Sequence, residues 1–128
     1  MAPPASPSTV KTRVLFVEDE ASLRVSYQRF FADRYVMAFA GSGSEGLQQL
    51  KSFEPDVLVL DLRLPDTDGV ALLQSIRQTH GALPVIVTTA YMSMEPLMSV
   101  LDLKNSAYLI KPFDLNELAA RIDGAAER

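Results

Sequence analysis

The sequence predicts an α/β domain in which five strands alternate with five helices, (βα)5, around an open, doubly wound parallel sheet. Three observations predict it. Five apolar runs, RVLFV (13–17), VMAFA (36–40), VLVL (57–60), VIVT (85–88) and AYLI (107–110), are too short for buried helices and mostly apolar on both faces. Strands of that kind belong to a parallel sheet covered on both sides. Segments with helix signals separate the runs, as right-handed crossovers between parallel strands require. Finally, 128 residues with 48% hydrophobic content suit a single domain around one proper core.

Taken in order, MAPPASPSTVKT (1–12) is rich in Pro, Ala and Ser and is expected to be a flexible arm before a domain spanning 13–128. It lacks the apolar core of a signal peptide, and no run approaches membrane-spanning length, so a cytoplasmic protein without membrane contact is expected. In the first helix, Leu23, Tyr27, Phe30 and Phe31 recur at helical spacing. Ser42 and Glu45 form a capping box that opens the second. The third runs from Gly69 to His80, with Gly81 as its stop and Pro84 ahead of the next strand. Pro96 suits the first turn of a fourth helix, and Asp114 with Glu117 caps a fifth.

Composition excludes several functions. Sixteen acidic against twelve basic residues give a net charge of −4, which offers no field to hold a nucleic-acid backbone. The absence of Cys removes disulfides, thiol catalysis and Cys-based metal sites.

Ligands of an open α/β sheet sit beyond the carboxyl ends of its strands. There this sequence places Glu18-Asp19-Glu20, Asp61, Thr88-Thr89 and Lys111-Pro112. Carboxylates converging from two strands repel one another unless a cation is held among them. With oxygen ligands alone on offer, the fitting ion is hard, which points to Mg2+. Lys111 adds a point charge for a phosphoryl oxygen, and a Thr hydroxyl adds a hydrogen bond. The combination suits phosphoryl transfer, with Asp61 as the carboxylate nucleophile that would form an aspartyl-phosphate. A rival reading comes from GSGSEG (41–46), a G-x-G-x-x-G pattern with Asp61 twenty residues after Gly41, in the manner of a nucleotide-binding redox domain. Its turn follows the second strand rather than the first and carries Glu45 among the glycines, so a loop before a capped helix is the better account.

The segments VLFVEDE, DVLVLDLRLPDTDG, PVIVTTA and YLIKPF, in this order and spacing, resemble the receiver domain of two-component response regulators from residue 13 to about 125. The resemblance implies the flavodoxin-like strand order 2-1-3-4-5. It implies Mg2+ held by Asp19 directly, by Glu18 through water, by Asp61 and by the main-chain carbonyl of Arg63. It further implies that Asp61 is phosphorylated, that Lys111 and the Thr89 hydroxyl contact the phosphoryl group, and that Tyr108 swings inward with Thr89. The donor would be a sensor histidine kinase or a phosphotransfer protein. The face of the fourth helix, fifth strand and fifth helix would then meet an output domain or a target protein, and the resemblance also leaves a homodimer open. The domain would assist its own phosphorylation and dephosphorylation without being a turnover enzyme.

Departures and plainer readings stand beside this. Glu18 replaces the more usual Asp, and Lys104-Asn105 replace the usual Gly-Ala before the fifth strand. Arg63 and Tyr91 occupy positions that tune access of hydrolytic water in the resembled family, and their size suggests a shielded phosphoryl group. Glu20 reads first as a helix cap, Pro65, Asp66, Asp68 and Gly69 as a turn, and His80 as a solvated helix end. Tyr108 is equally consistent with a core aromatic. A degenerate receiver that only binds proteins is the alternative, and the complete set of Glu18, Asp19, Asp61, Thr89 and Lys111 argues against it.

Overall fold

The computed structural model describes residues 11–90 and 106–127. Strands β1 (Thr12–Val17), β2 (Tyr35–Ala40), β3 (Val57–Asp61), β4 (Val85–Thr89) and β5 (Ser106–Ile110) form one parallel sheet in the order β2-β1-β3-β4-β5. Each predicted strand lies within one residue of the observed one at either end, and the expected order is the observed order. Helices α1 (Ala21–Phe30), α2 (Gly43–Phe53), α3 (Gly69–Thr79) and α4 (Leu115–Ala126) connect and cover the strands. The helix expected around Pro96 lies outside the described residues, so the predicted fifth helix is α4 here. Among the described residues no helix is long and apolar enough to cross a membrane.

Alternation along β1 explains why the sheet buries both faces. Leu15 and Val17 point to a layer built with Leu50 of α2 and Leu73 of α3, whereas Val14 and Phe16 point to one built with Tyr27 of α1 and Leu118 of α4. Every residue of β3 and β4 is buried, which is why those runs read as apolar on both sides. Phe16 stacks on Tyr27 with ring centroids 4.7 Å apart, fixing α1 over β1. Each large side chain buried this way contributes about 1.5–3 kcal/mol.

The helix ends agree with expectation in part. Ser42 caps α2 by accepting from the Glu45 N–H at 3.1 Å, and the Glu45 carboxylate reaches back to the Gly41 N–H at 2.5 Å. Asp68 and Asp114 cap α3 and α4 by accepting from the N–H groups of Val70 and Asn116. Glu20 holds the N-cap position of α1 without a side-chain cap, and its carboxylate accepts from the Ser22 hydroxyl instead. Helix α3 ends at His80, whose N–H bonds to the Ile76 carbonyl, and Gly81 is not left-handed. Among the described residues the left-handed one is Glu54, which closes α2 with φ 54°. Phe30 is 39% exposed, while Tyr27 and Phe31 are fully buried, so the apolar spacing of α1 overstated its inner face by one aromatic.

Candidate functional site

The carboxyl ends of β1, β3, β4 and β5 converge at one edge of the sheet. Glu18 follows directly on β1, with its N–H donating to the Ala40 carbonyl of β2 at 2.9 Å. Its side chain is 2% exposed, whereas neighbouring Asp19 is exposed. Asp61 ends β3 and is 3% exposed. One carboxylate oxygen from each of Glu18, Asp19 and Asp61 lies within 4.8 Å of the other two. Lys111, just past β5, places its Nζ 2.9 Å from Glu18 Oε1 and 3.1 Å from Asp61 Oδ2. Three acids and one ammonium leave a surplus of two negative charges when all are ionised, a set of hard oxygen donors suited to one divalent cation.

Backbone donors hold the second oxygen of the two buried acids. Asp61 Oδ1 accepts from the Arg63 N–H at 3.1 Å, and Glu18 Oε2 accepts from the Glu20 N–H at 3.2 Å. Arg24, in the first turns of α1, donates from Nη1 to the Glu18 carbonyl at 2.7 Å. Burial foremost, with the charge of Asp61 adding to it against the Lys111 hydrogen bond, raises the Glu18 pKa from 4.5 to about 7. Burial lowers that of Lys111, but its hydrogen bonds and attraction to Glu18 and Asp61 outweigh this, so its pKa is raised. An acid cluster that keeps a proton near neutrality is one that a cation can occupy in the proton's place.

Thr89 is fully buried at the end of β4, and the Lys111 N–H donates to its carbonyl at 2.7 Å. Thr88 lies opposite Asp61 in the β3–β4 register. Alternation puts Thr89 on the face of Val85 and Val87, the layer against which partly buried Tyr108 packs. Thr89 and Tyr108 therefore share one face, on neighbouring strands. The Arg63 side chain is exposed, and an isolated antiparallel bridge joins Arg63 to Asp68. Tyr91, Lys104 and Asn105 lie outside the described residues.

The glycine pattern has a different use from the one its spacing suggests. At the N-terminus of α2, where a pyrophosphate would sit, the Asp66 carboxylate accepts from the Gly43 N–H at 2.8 Å and the Ser44 N–H at 2.9 Å. A Cβ on Gly43 would stand 2.4 Å from Thr67 Cγ2, and one on Gly46 would stand 3.0 Å from Val17 Cγ2. Gly43 and Gly46 are thus small because a loop and a strand press against them. Two site residues escaped the sequence reading. Arg24 carried no spacing signal, and Asp66 read as a turn residue because its partners lie more than twenty positions away.

The family profile of the response regulator receiver domain matches residues 14–123. The chain belongs to this family. Among curated relatives, the DNA-binding transcriptional regulator NtrC of Escherichia coli (strain K12) is 38% identical over 113 residues, covering 88% of this chain and 24% of NtrC. Response regulator MprA of Mycobacterium ulcerans is 36% identical over 120 residues, covering 93% of this chain and 52% of MprA. This receiver domain therefore spans about a quarter to a half of the length of those relatives. Among solved structures, the receiver domain of the Francisella response regulator 1452 matches with a TM-score of 0.84 and 28% identity, covering 92% of this chain and 98% of the other. Family membership makes this a two-component signalling module, and the fold agrees with it strand for strand.

Proposed function

We propose that this receiver domain accepts a phosphoryl group on Asp61 and that the modified site changes which protein it binds. The observation that carries the reading is the state of the Asp61 carboxylate: buried, with one oxygen on the Arg63 N–H, the other on Lys111 Nζ, and two further acids beside it. A carboxylate so fixed is a positioned nucleophile. An Asp61 oxygen attacks the phosphorus of a phosphohistidine on a sensor kinase or phosphotransfer protein. The P–N bond breaks, its electron pair goes to the imidazole, and a mixed carboxylic–phosphoric anhydride forms on Asp61.

Glu18, Asp19 and Asp61, with the Arg63 carbonyl, would hold Mg2+, which when bound would supply positive charge for the phosphoryl oxygens. Once Asp61 is phosphorylated, Lys111 loses one carboxylate partner and would pair with a phosphoryl oxygen. The Thr89 hydroxyl turns toward the same group, and Tyr108, on the same face, follows into the space left behind. That couples the site to the surface of β5 and α4, where an output domain, a target protein or a second copy would dock. Arg63, exposed on the loop after Asp61, would limit the access of hydrolytic water and slow dephosphorylation, a role expected also of Tyr91, which lies outside the described residues. The domain proper begins at β1 after the N-terminal arm and promotes its own modification without turning over a substrate.

Incubation with acetyl phosphate, with and without Mg2+, followed by intact-mass measurement tests this directly. One phosphoryl group is expected on the wild type with Mg2+, and none on Asp61→Asn or when EDTA replaces the ion. A wild type that gains no mass, and fails to bind a beryllofluoride analogue, would leave a receiver that works as a binding surface alone.

A further inference from the structure

We infer that Asp66 is a positioning residue for the phosphoacceptor: bound across the N-terminus of α2, it holds the loop that orients Asp61. This rests on the reading of Asp61 as the phosphorylated residue.

The loop between β3 and α3 is closed on itself at its base. The Gly69 N–H donates to the Leu62 carbonyl at 3.1 Å, and Arg63 pairs with Asp68. No slack remains there, since a Cβ on Gly69 would lie 2.4 Å from both Cα and the carbonyl oxygen of Leu62. Within this ring the Arg63 N–H reaches Asp61 Oδ1, so the placement of the ring sets the rotation of the Asp61 carboxylate. Three residues further on, Asp66 ties the tip of the ring to the Gly43 and Ser44 N–H groups of α2. Two N–H donors at the positive end of a helix dipole suit a carboxylate, and those of Ser44 and Gly43 hold its pKa below the usual range.

Helix α2 is a fixed anchor. Ser42 and Glu45 close its first turn, and Gly46 brings it against Val17, the residue preceding Glu18 on β1. The tether therefore runs from the Asp61 loop through Asp66 and α2 to the strand that presents Glu18 and Asp19. It connects the two halves of the acid cluster from behind. Without Asp66 the ring has lost its outer attachment, and the Arg63 N–H meets Asp61 for a smaller fraction of the time. Supporting contacts of this kind change metal affinity or activity by about 10–100-fold when removed.

The test uses Asp66→Ala, Gly43→Ala, their double variant and Asp66→Asn. Gly43→Ala attacks the same contact from the helix side by pushing Thr67 away. Four quantities are measured: Mg2+ dissociation constant by calorimetry, phosphorylation rate by acetyl phosphate at saturating Mg2+, amide exchange at Arg63 in EDTA, and Tm. Both Ala variants are expected to bind Mg2+ and react about 10-fold more weakly, with faster exchange at Arg63, while Asp66→Asn, which keeps one acceptor oxygen, loses about 3-fold. The double variant should be no worse than the worse single variant, because one contact is lost once. Mg2+ affinity, rate and Arg63 exchange within about twofold of wild type would overturn the inference, whatever happens to Tm. So would losses that multiply in the double variant. Should the Ala variants not fold, Asp66→Asn decides by the same criteria. A wild type that is never phosphorylated sinks the Asp61 reading instead, and Arg63 exchange and Mg2+ affinity then still report whether Asp66 orders the site.

Discussion

Replacing Lys111 with Met keeps an unbranched stem and removes the ammonium that lies 2.9 Å from Glu18 and 3.1 Å from Asp61. The Lys111 side chain is 21% exposed and its two partners are buried, so solvent screens these pairs little. Removing one member of a buried pair costs about 3–5 kcal/mol when the orphaned charge must stay ionised. Here it need not, because Glu18 can take up a proton. Its pKa is already raised from 4.5 to about 7 by burial and by Asp61, equivalent to about 3 kcal/mol in favour of the neutral form.

The sign follows from linkage. A folded-state pKa raised above the unfolded one gives Glu18 a stabilising contribution that is complete below about pH 4.5 and lost as pH rises through about 7. The Lys111 hydrogen bond lowers that pKa, so in Lys111→Met the loss continues to higher pH than in wild type. Lys111, whose own pKa is raised, stays charged in the wild type across this window. Urea unfolding in EDTA should therefore show a deficit for the variant of about 1 kcal/mol near pH 5.5, growing to about 3 kcal/mol near pH 8.5. A deficit that is constant with pH, or that shrinks as pH rises, would refute the assignment of Lys111 as the counter-charge of this pair.

Further outcomes follow from the same geometry. Mg2+ competes with the proton on Glu18, so affinity should rise with pH up to about 7 and level off above it; calorimetry in two buffers should find close to one proton released per ion at low pH and almost none at high pH. Gly69→Ala drives a Cβ into the Leu62 backbone and should cost about 2–3 kcal/mol, read as a lower Tm and weaker phosphorylation together. Tyr27 Oη is buried without a hydrogen-bond partner among the described residues, so Tyr27→Phe should stabilise by about 1 kcal/mol, and a lower Tm would mean that this oxygen has a partner after all.

The strands were legible because burial on both faces leaves a signature of consecutive apolar residues, as in VLVL of β3, that does not depend on distant partners. The acid cluster was legible for a related reason: strand ends in a parallel sheet share one edge, so Glu18, Asp19, Asp61 and Lys111 could be placed together once the strands were placed. Depth was not legible. Helical spacing groups Phe30 with Phe31, yet only the latter is covered, because how far a sheet and its neighbouring helix extend over α1 is a tertiary fact. Caps were half legible. Ser42 and Asp114 act locally and were found, whereas Asp68 read as a turn residue although it caps α3, and the Glu20 side chain turned to Ser22 rather than to the helix backbone.

The glycine motif shows most clearly where sequence logic stops. A G-x-G-x-x-G pattern states that backbone is approached closely and that helix N–H groups are presented; the first holds at Gly43 and Gly46, the second at Gly43 and Ser44. What approaches is not written in the motif. In a dinucleotide fold it is a diphosphate; here Thr67, Asp66 and Val17 fill the same places. The anion site is satisfied within the chain by a carboxylate from the loop that carries Arg63, so the same N–H groups that could have bound a cofactor instead hold the loop that follows Asp61. An acidic site built from separate strands needs a brace, since repulsion among Glu18, Asp19 and Asp61 pushes their backbones apart whenever no cation is bound. Lys111 opposes that repulsion by charge, and Asp66 opposes it by holding the loop in place.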